Sequence, residues 1–198
     1  SVNVDFVAVG RLAAQHLASL GHRRIAFLQG SMQFVYQQQT LQGFRSSLKE
    51  LNLDDDEPRL PGLPVRCTQT GRGQGLIAHV SLLWSDPKEG LIMEWLRSTG
   101  STALFTPEFD WAAEVGRVLK QLQVEVPKDI SVLACESALL QSTTSQNFTR
   151  VELSMAEVGR QGALLLHRLA SEPVQEPREV KISPTLVEGW STQQCKMY

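Results

Sequence analysis

The sequence predicts an α/β fold: a doubly wound parallel sheet with helices on both faces. Three observations predict it. The run "IAFL" (25–28) is apolar without a break, and "TALFT" (102–106) and "ISVLAC" (130–135) read as further buried strands. Strands buried on both faces read this way, whereas strands with one wet face alternate. Between them stand stretches of about a dozen residues with apolar positions at helical spacing. Gly, Pro and polar clusters mark the joins.

The elements follow in order. In "VAVGRLAAQHLASL" (7–20) apolar residues at 9, 12, 13, 14, 17 and 20 give a helix, which Gly21 ends as a C-terminal cap. Arg23 and Arg24 mark the solvated rim before the strand at Ile25–Leu28. "TLQGFRSSLKELNL" (40–53) is amphipathic, with Leu41, Phe44, Leu48 and Leu51 on one stripe. "DDDEPRLPGLP" reads as a loop, "VRCT" as a short strand, and "LIAHVSLLW" fits helix or strand. "DPKEGLIMEWLRSTG" is a helix capped by Asp86 with Pro87 at its first position. "DWAAEVGRVLKQLQV" (110–124) is another amphipathic helix. In "SMAEVGRQGALLLHRLAS" (154–171) Ser154 and Glu157 have capping-box spacing. "REVKISPTLVEGWST" holds one or two strands split by Pro184.

Composition narrows the function classes. The chain has 198 residues, 42% apolar and 20% charged, with a formal charge of −2. That is ordinary for a globular protein and too acidic for a surface that grips nucleic acid unaided. Cys67, Cys135 and Cys195 are widely spaced, with no CxxC, so neither a disulfide framework nor a zinc site is expected. Reduced thiols fit a cytoplasmic location. No apolar run has the length of a membrane span. The opening "SVNVDFVAVGRL" reads as the interior of a domain, the expectation being that it continues a longer protein.

In open α/β sheets ligands bind beyond the carboxyl ends of the strands. Three such ends can be named: Gln29-Gly30-Ser31, Pro107-Glu108-Phe109 and Cys135-Glu136-Ser137. Glu108 and Glu136 there are either acceptors for ligand hydroxyls or amines, or solvated loop carboxylates. Phe34, Tyr36, Phe109 and Trp111 either wall a pocket or fill the core. Gln37, Gln38 and Gln39 read as a solvated first helical turn.

Catalytic and metal chemistry find little support. "GRGQG" (71–75) lacks both the dinucleotide-binding spacing and a Walker lysine and reads as a loop. His16, His22, His79 and His167 have no metal-ligand spacing. His22, just past a helix end, is placed to complement the helix dipole as a cation. Ser137 and Ser142 have no His-Asp partners nearby, and Cys135 reads as a small buried hydrophobe. No catalytic residue, metal or cofactor is expected.

The ordered blocks "GRLAAQHLASLGHRRIAFLQG", "LQGFRSSLKELNL", "STALFTPEFDWAAEVGRVLKQLQVEVPKDISVLACES", "FTRVELSMAEVGRQGALLLHRL" and "PTLVEGWST" resemble the effector domain of LacI/GalR-type transcription regulators over nearly the whole chain. The resemblance implies a periplasmic-binding-protein-like fold of two lobes closing on a small molecule. It places the C-terminal lobe with its leading helix at 1–136, a crossover and part of the N-terminal lobe at 137–175, and return strands and tail at 176–198. It implies a cytoplasmic homodimer, no membrane contact, and DNA binding only through a head domain outside this chain.

The family's ligand positions fall on Asp5, Thr40, Glu108, Phe109 and Glu136. Thr40 stands where the family has arginine, and Glu108-Phe109 where it has Asn-Asp. Without the arginine fork and the asparagine amide, a standard sugar-like effector fits less well than one bringing donors, positive charge or apolar surface. The competing readings are a periplasmic sugar-binding protein of a transport system and a Rossmann-like enzyme. The second lacks its cofactor fingerprint.

Overall fold

The computed structural model describes residues 1–29, 34–53, 76–81, 100–135, 148–171 and 179–195. Two sheets organise them. The larger has six strands in the order β3-β2-β4-β5-β6-β8: β2 (Arg24–Gln29), β3 (Leu76–Ser81), β4 (Ala103–Thr106), β5 (Ser131–Cys135), β6 (Arg150–Glu152) and β8 (Thr185–Val187). All of its pairings are parallel except β6 with β8. The smaller sheet pairs β1 (Val2–Val4) with β7 (Val180–Ile182), again in parallel. The helices are α1 (Phe6–Ser19), α2 (Val35–Glu50), α3 (Phe109–Gln121) and α4 (Met155–Ser171).

The apolar runs are explained by the two faces they serve. Ile25 and Phe27 of β2, Ala103 and Phe105 of β4, and Leu133 and Cys135 of β5 pack with α1 and α2. Ala26, Leu28, Leu104 and Val132 point the other way and pack with Val115, Val118 and Leu119 of α3. Since successive strand side chains alternate in direction, burial on both faces keeps the middle of each run apolar, and the buried polar residues Thr106 and Ser131 sit at strand ends. Phe27, Phe44 and Phe105 meet with ring centroids 5.2–5.5 Å apart, each pair adding about 0.5–1.5 kcal/mol beyond its burial.

Helix α1 ends as its sequence predicts. Gly21 is left-handed at φ +85°. Its N–H donates to the carbonyl of Ala18 at 2.9 Å, and that of His22 donates to Leu17 at 3.1 Å. These are the two bonds of a Schellman cap. Arg23 and Arg24 are exposed, as expected of a rim.

Helices α1 and α2 cross at two glycines. A Cβ on Gly10 would lie 1.9 Å from the carbonyl oxygen of Thr40, and one on Gly43 would lie 1.9 Å from that of Val7. Only hydrogen at both positions lets the backbones touch. The crossing carries the start of α1 onto the first turns of α2.

Several details depart from the sequence expectations. Helix α2 starts five residues before the expected Thr40, at Val35, and Leu51 is its half-exposed C-cap. Ser154 precedes α4 at φ +52°. The Glu157 carboxylate does not close a capping box: it accepts from Arg160 and Gln161 instead. β6 pairs with β5 in the larger sheet, and only α4 after it packs on the β1–β7 pair. β7 and β8 belong to different sheets, with Pro184 in the two-residue link between them. "VRCT", "GRGQG" and the helix expected from Asp86 lie outside the described residues. "LIAHVSLLW" resolves into strand over Leu76–Ser81.

Candidate functional site

The parallel pairing of β2, β4 and β5 brings their carboxyl ends to one edge of the larger sheet. At the end of β4 the Thr106 hydroxyl donates to the Glu108 carbonyl at 3.1 Å and closes the turn into α3. Glu108 is the N-cap residue of α3, yet its side chain does not cap the helix. It reaches across to α2, where one carboxylate oxygen, Oε1, accepts from the Tyr36 hydroxyl at 3.0 Å and from the Gln37 amide. Burial pushes the Tyr36 phenol up to about 12, and the neighbouring Glu108 carboxylate adds to the shift. The phenol therefore keeps its proton and remains a donor at neutral pH.

The rest of the first turn of α2 holds this arrangement in place. Gln37 is buried, and its side-chain oxygen accepts the Phe34 N–H at 3.3 Å. Thr40 is buried, and its hydroxyl donates to the Tyr36 carbonyl one turn back at 2.8 Å. The Tyr36 ring lies 5.4 Å from Phe6 and stacks on Phe34 at 5.6 Å and 17°. Phe34 is 56% exposed, so one aromatic wall of this rim faces outward. Asp5 precedes Phe6 as the N-cap of α1 and accepts the Ala8 N–H at 3.0 Å.

Asp5, Thr40 and Glu108 thus lie around the Phe6–Tyr36 contact. Asp5 and Thr40 each have a local partner, and Glu108 spans two elements. Phe109 begins α3, and nothing is assigned to its side chain. Glu136 lies outside the described residues. The sequence reading gave Tyr36 only as pocket wall or core, and it took Gln37 for a solvated residue; the structure buries Gln37 against Glu108. Helical spacing held the clue. With α2 begun at Val35, Tyr36 and Thr40 are an i, i+4 pair and Gln37 and Thr40 an i, i+3 pair, on one face.

A second polar cluster lies at the opposite edge, before the strands begin. His22 is 2% exposed. Its Nδ1 is 2.9 Å from the Thr102 hydroxyl, and its Nε2 is 3.0 Å from the Ser131 hydroxyl and 3.1 Å from the Gln193 carbonyl. A carbonyl can only accept, so Nε2 carries the proton and Nδ1 accepts from Thr102. Burial lowers the pKa of this imidazole. The expected cation at the end of α1 is therefore a neutral ring in a buried network, because desolvation outweighs the hydrogen bond to the Gln193 carbonyl that favours the charged form. Ser191 extends the network, accepting from the Thr149 N–H at 3.0 Å and donating to the Val132 carbonyl at 2.7 Å.

A cavity of about 460 Å³ lies elsewhere again, along α3 from Ala112 to Lys120, with Val132, Phe148 and Trp190 among its lining. Its mostly aliphatic and aromatic lining is apart from Glu108, Tyr36 and Thr40. The strand-end rim, with its converging polar groups, is the stronger candidate. Among the described residues no cluster of His, Cys, Asp or Glu is arranged to hold a metal, and no helix is long and apolar enough to cross a membrane.

The fold is shared with known proteins. The model of the periplasmic binding protein-like domain family matches residues 14–192. The chain belongs to this family. Within it, the chain is similar to effector domains of LacI-type regulators. It is 28% identical over 185 residues to the ribose operon repressor of Escherichia coli, covering 92% of the chain and 50% of the relative. It is 27% identical to the HTH-type transcriptional regulator CelR of Thermobifida fusca, covering 90% and 48%. The chain thus spans about half the length of these curated relatives.

Solved structures agree on the fold. A LacI family transcriptional regulator from Enterococcus faecium with bound ribose superposes with a TM-score of 0.74 at 21% identity, covering 98% of the chain and 66% of that structure. The transcriptional regulator CelR in complex with cellobiose gives 0.72 at 25% identity, covering 96% and 53%. For a periplasmic-binding-protein-like domain, the strand-end edge occupied by Glu108 is the edge at which open α/β sheets take ligands.

Proposed function

We propose that this domain is the ligand-sensing and dimerising part of a bacterial DNA-binding transcription regulator, and that it is not an enzyme. The observation that carries the reading is the Glu108–Tyr36–Gln37 arrangement at the carboxyl edge of the parallel sheet, in a chain whose curated relatives are transcription regulators. The small-molecule effector occupies a cleft between two lobes. The larger is built mainly from residues 1–136 with β6; within residues 137–175 the chain crosses after β6 to the smaller, where α4 lies on β1 and β7; residues 176–198 return. Asp5, Thr40, Glu108, Phe109 and Glu136 contribute to the cleft, with Tyr36 and Gln37 beside them.

The mechanism is a population shift. An effector that binds the closed arrangement of lobes more tightly re-orients the paired domains and, through them, a DNA-binding head outside this chain. The shift in DNA affinity is bounded by the difference in effector affinity between the two arrangements. Work on DNA places the protein in the cytoplasm. The exposed apolar side chains of α4, including Leu166 at 69% exposure and Met155 at 46%, support association with further protein surface. The reading is tested by calorimetry on the full-length protein with metabolite pools, paired with operator-binding assays. A bound small molecule that changes operator affinity supports it. Operator binding indifferent to every bound small molecule would remove it. Sedimentation should show a dimer, and a monomer at working concentration would refute that part.

A further inference from the structure

Resting on the cleft reading above, we propose that the effector is a cationic nitrogen carried on an apolar or aromatic body, held by the Glu108 carboxylate and the Phe6–Tyr36–Phe34 aromatic wall. Three observations lead there. The first concerns donors. Tyr36 and Gln37 both spend theirs on the same oxygen of Glu108, and Thr40 spends its own on the Tyr36 carbonyl. A neutral polyol, which needs donors as well as acceptors, finds the Tyr36 and Thr40 hydroxyl protons and one Gln37 N–H already committed.

The second concerns charge. Among the described residues no Lys, Arg or His pairs with Glu108, although five other such pairs occur elsewhere in the chain. Its second oxygen, Oε2, has no hydrogen-bond partner among them, and Oε1 already holds two neutral donors. An anionic ligand meets a like charge; a protonated amine supplies both the missing charge and the missing donor. Asp5, at the start of the helix whose Phe6 touches Tyr36, adds negative potential to the same rim.

The third concerns the wall. The Phe34 and Tyr36 rings are nearly parallel and stacked, and Phe34 is more than half exposed. An exposed ring pair beside a carboxylate is the environment that a cation on an apolar body gains from most, through ring faces and carboxylate together. A sugar can stack on a ring but gains nothing from the unpaired charge.

The experiment uses matched probes on the full-length protein: phenethylamine, 2-phenylethanol and ribose, by calorimetry at neutral pH, with native and Glu108→Gln proteins. The amine should bind the native protein at least about tenfold more tightly than the alcohol, and Glu108→Gln should erase that preference. Glu108→Asp, which keeps the charge, should retain part of it, so a folding defect in one variant does not decide the outcome. Ribose or the alcohol binding as tightly as the amine would overturn the ligand class; if Glu108→Gln still weakened that binding, the cleft reading would stand. Amine binding unchanged by Glu108→Gln, or no binding of any probe, would overturn the proposal. Only the first of those would count against the cleft itself.

Discussion

Two polar clusters sit at opposite edges of one sheet, and they are built differently. Around His22 each ring nitrogen has a partner, the ring is buried, and the partners come from the residue before β4, from β5 and from the C-terminal segment. Around Glu108 the same number of elements is not engaged: one carboxylate oxygen is doubly used, the other is open among the described residues, and the neighbouring aromatic wall faces outward. A closed network fastens the chain to itself, since a buried polar group left unpaired costs about 1–3 kcal/mol. An open one of converging groups keeps bonding capacity for something else. Buried polarity alone does not identify a binding site; unfinished bonding does.

This contrast can be broken in four ways. The strongest perturbation lies beneath the rim. Gly10→Val drives a side chain into the Thr40 backbone at the α1–α2 crossing; it should destabilise the domain by about 3 kcal/mol or more and abolish cooperative unfolding or sharply lower its midpoint in a calorimetric scan. Next is His22→Ala, which leaves the Thr102 and Ser131 hydroxyls and the Gln193 carbonyl with only their remaining contacts, Thr102 to the Arg24 carbonyl at 3.4 Å and Ser131 with Gln193. A loss of about 2–3 kcal/mol is expected, read in a urea titration, together with faster amide exchange at residues 189–195. An unchanged midpoint would mean that the clasp is not closed.

Smaller is the effect of pH on the same clasp. Burial lowers the pKa of both His16 and His22 in the folded state. Glu188 near His16 opposes that shift, and His16 reinforces it at His22. The folded state thus binds fewer protons than the unfolded state once pH falls below the ordinary histidine value of about 6.5. Stability should be level above that value and decline below it, by at most about 1.4 kcal/mol per pH unit for each histidine. His22→Gln should flatten the decline, and a slope of opposite sign would contradict the neutral-ring assignment. Smallest is Glu108→Gln. Its amide oxygen still accepts from Tyr36 and Gln37, so thermal stability should change by less than about 1 kcal/mol. A large loss would place Glu108 with the structural cluster.

The contrast also explains what was legible in the sequence. β2, β4 and β5 could be read because burial on both faces leaves their central positions apolar, and that signal is local. Gly21 could be read because a left-handed cap needs glycine within the same short window. Local readings failed where the partner is remote. His22 looked like a dipole-complementing cation because Ser131 and Gln193 are more than a hundred residues away in sequence. Gln37 looked solvated because Glu108, its partner, is a strand and many residues further on. β7 and β8 fall in different sheets, a switch that Pro184 marks as a break without giving its direction. The Ser154–Glu157 spacing matched a capping box, yet Arg160 and Gln161 compete for the same carboxylate within one turn. Family spacing pointed to Asp5, Thr40 and Glu108; that they lie around the Phe6–Tyr36 contact, beside the Phe34 ring, needed the third dimension.

The most direct measurement is hydrogen–deuterium exchange of the full-length protein with and without saturating effector. The account predicts slowed exchange at residues 34–40 and 106–112, with residues 189–195 unchanged. Protection confined to the Trp190 and Lys120 cavity, or spread over the His22 clasp while the Glu108 rim stays as it was, would contradict it.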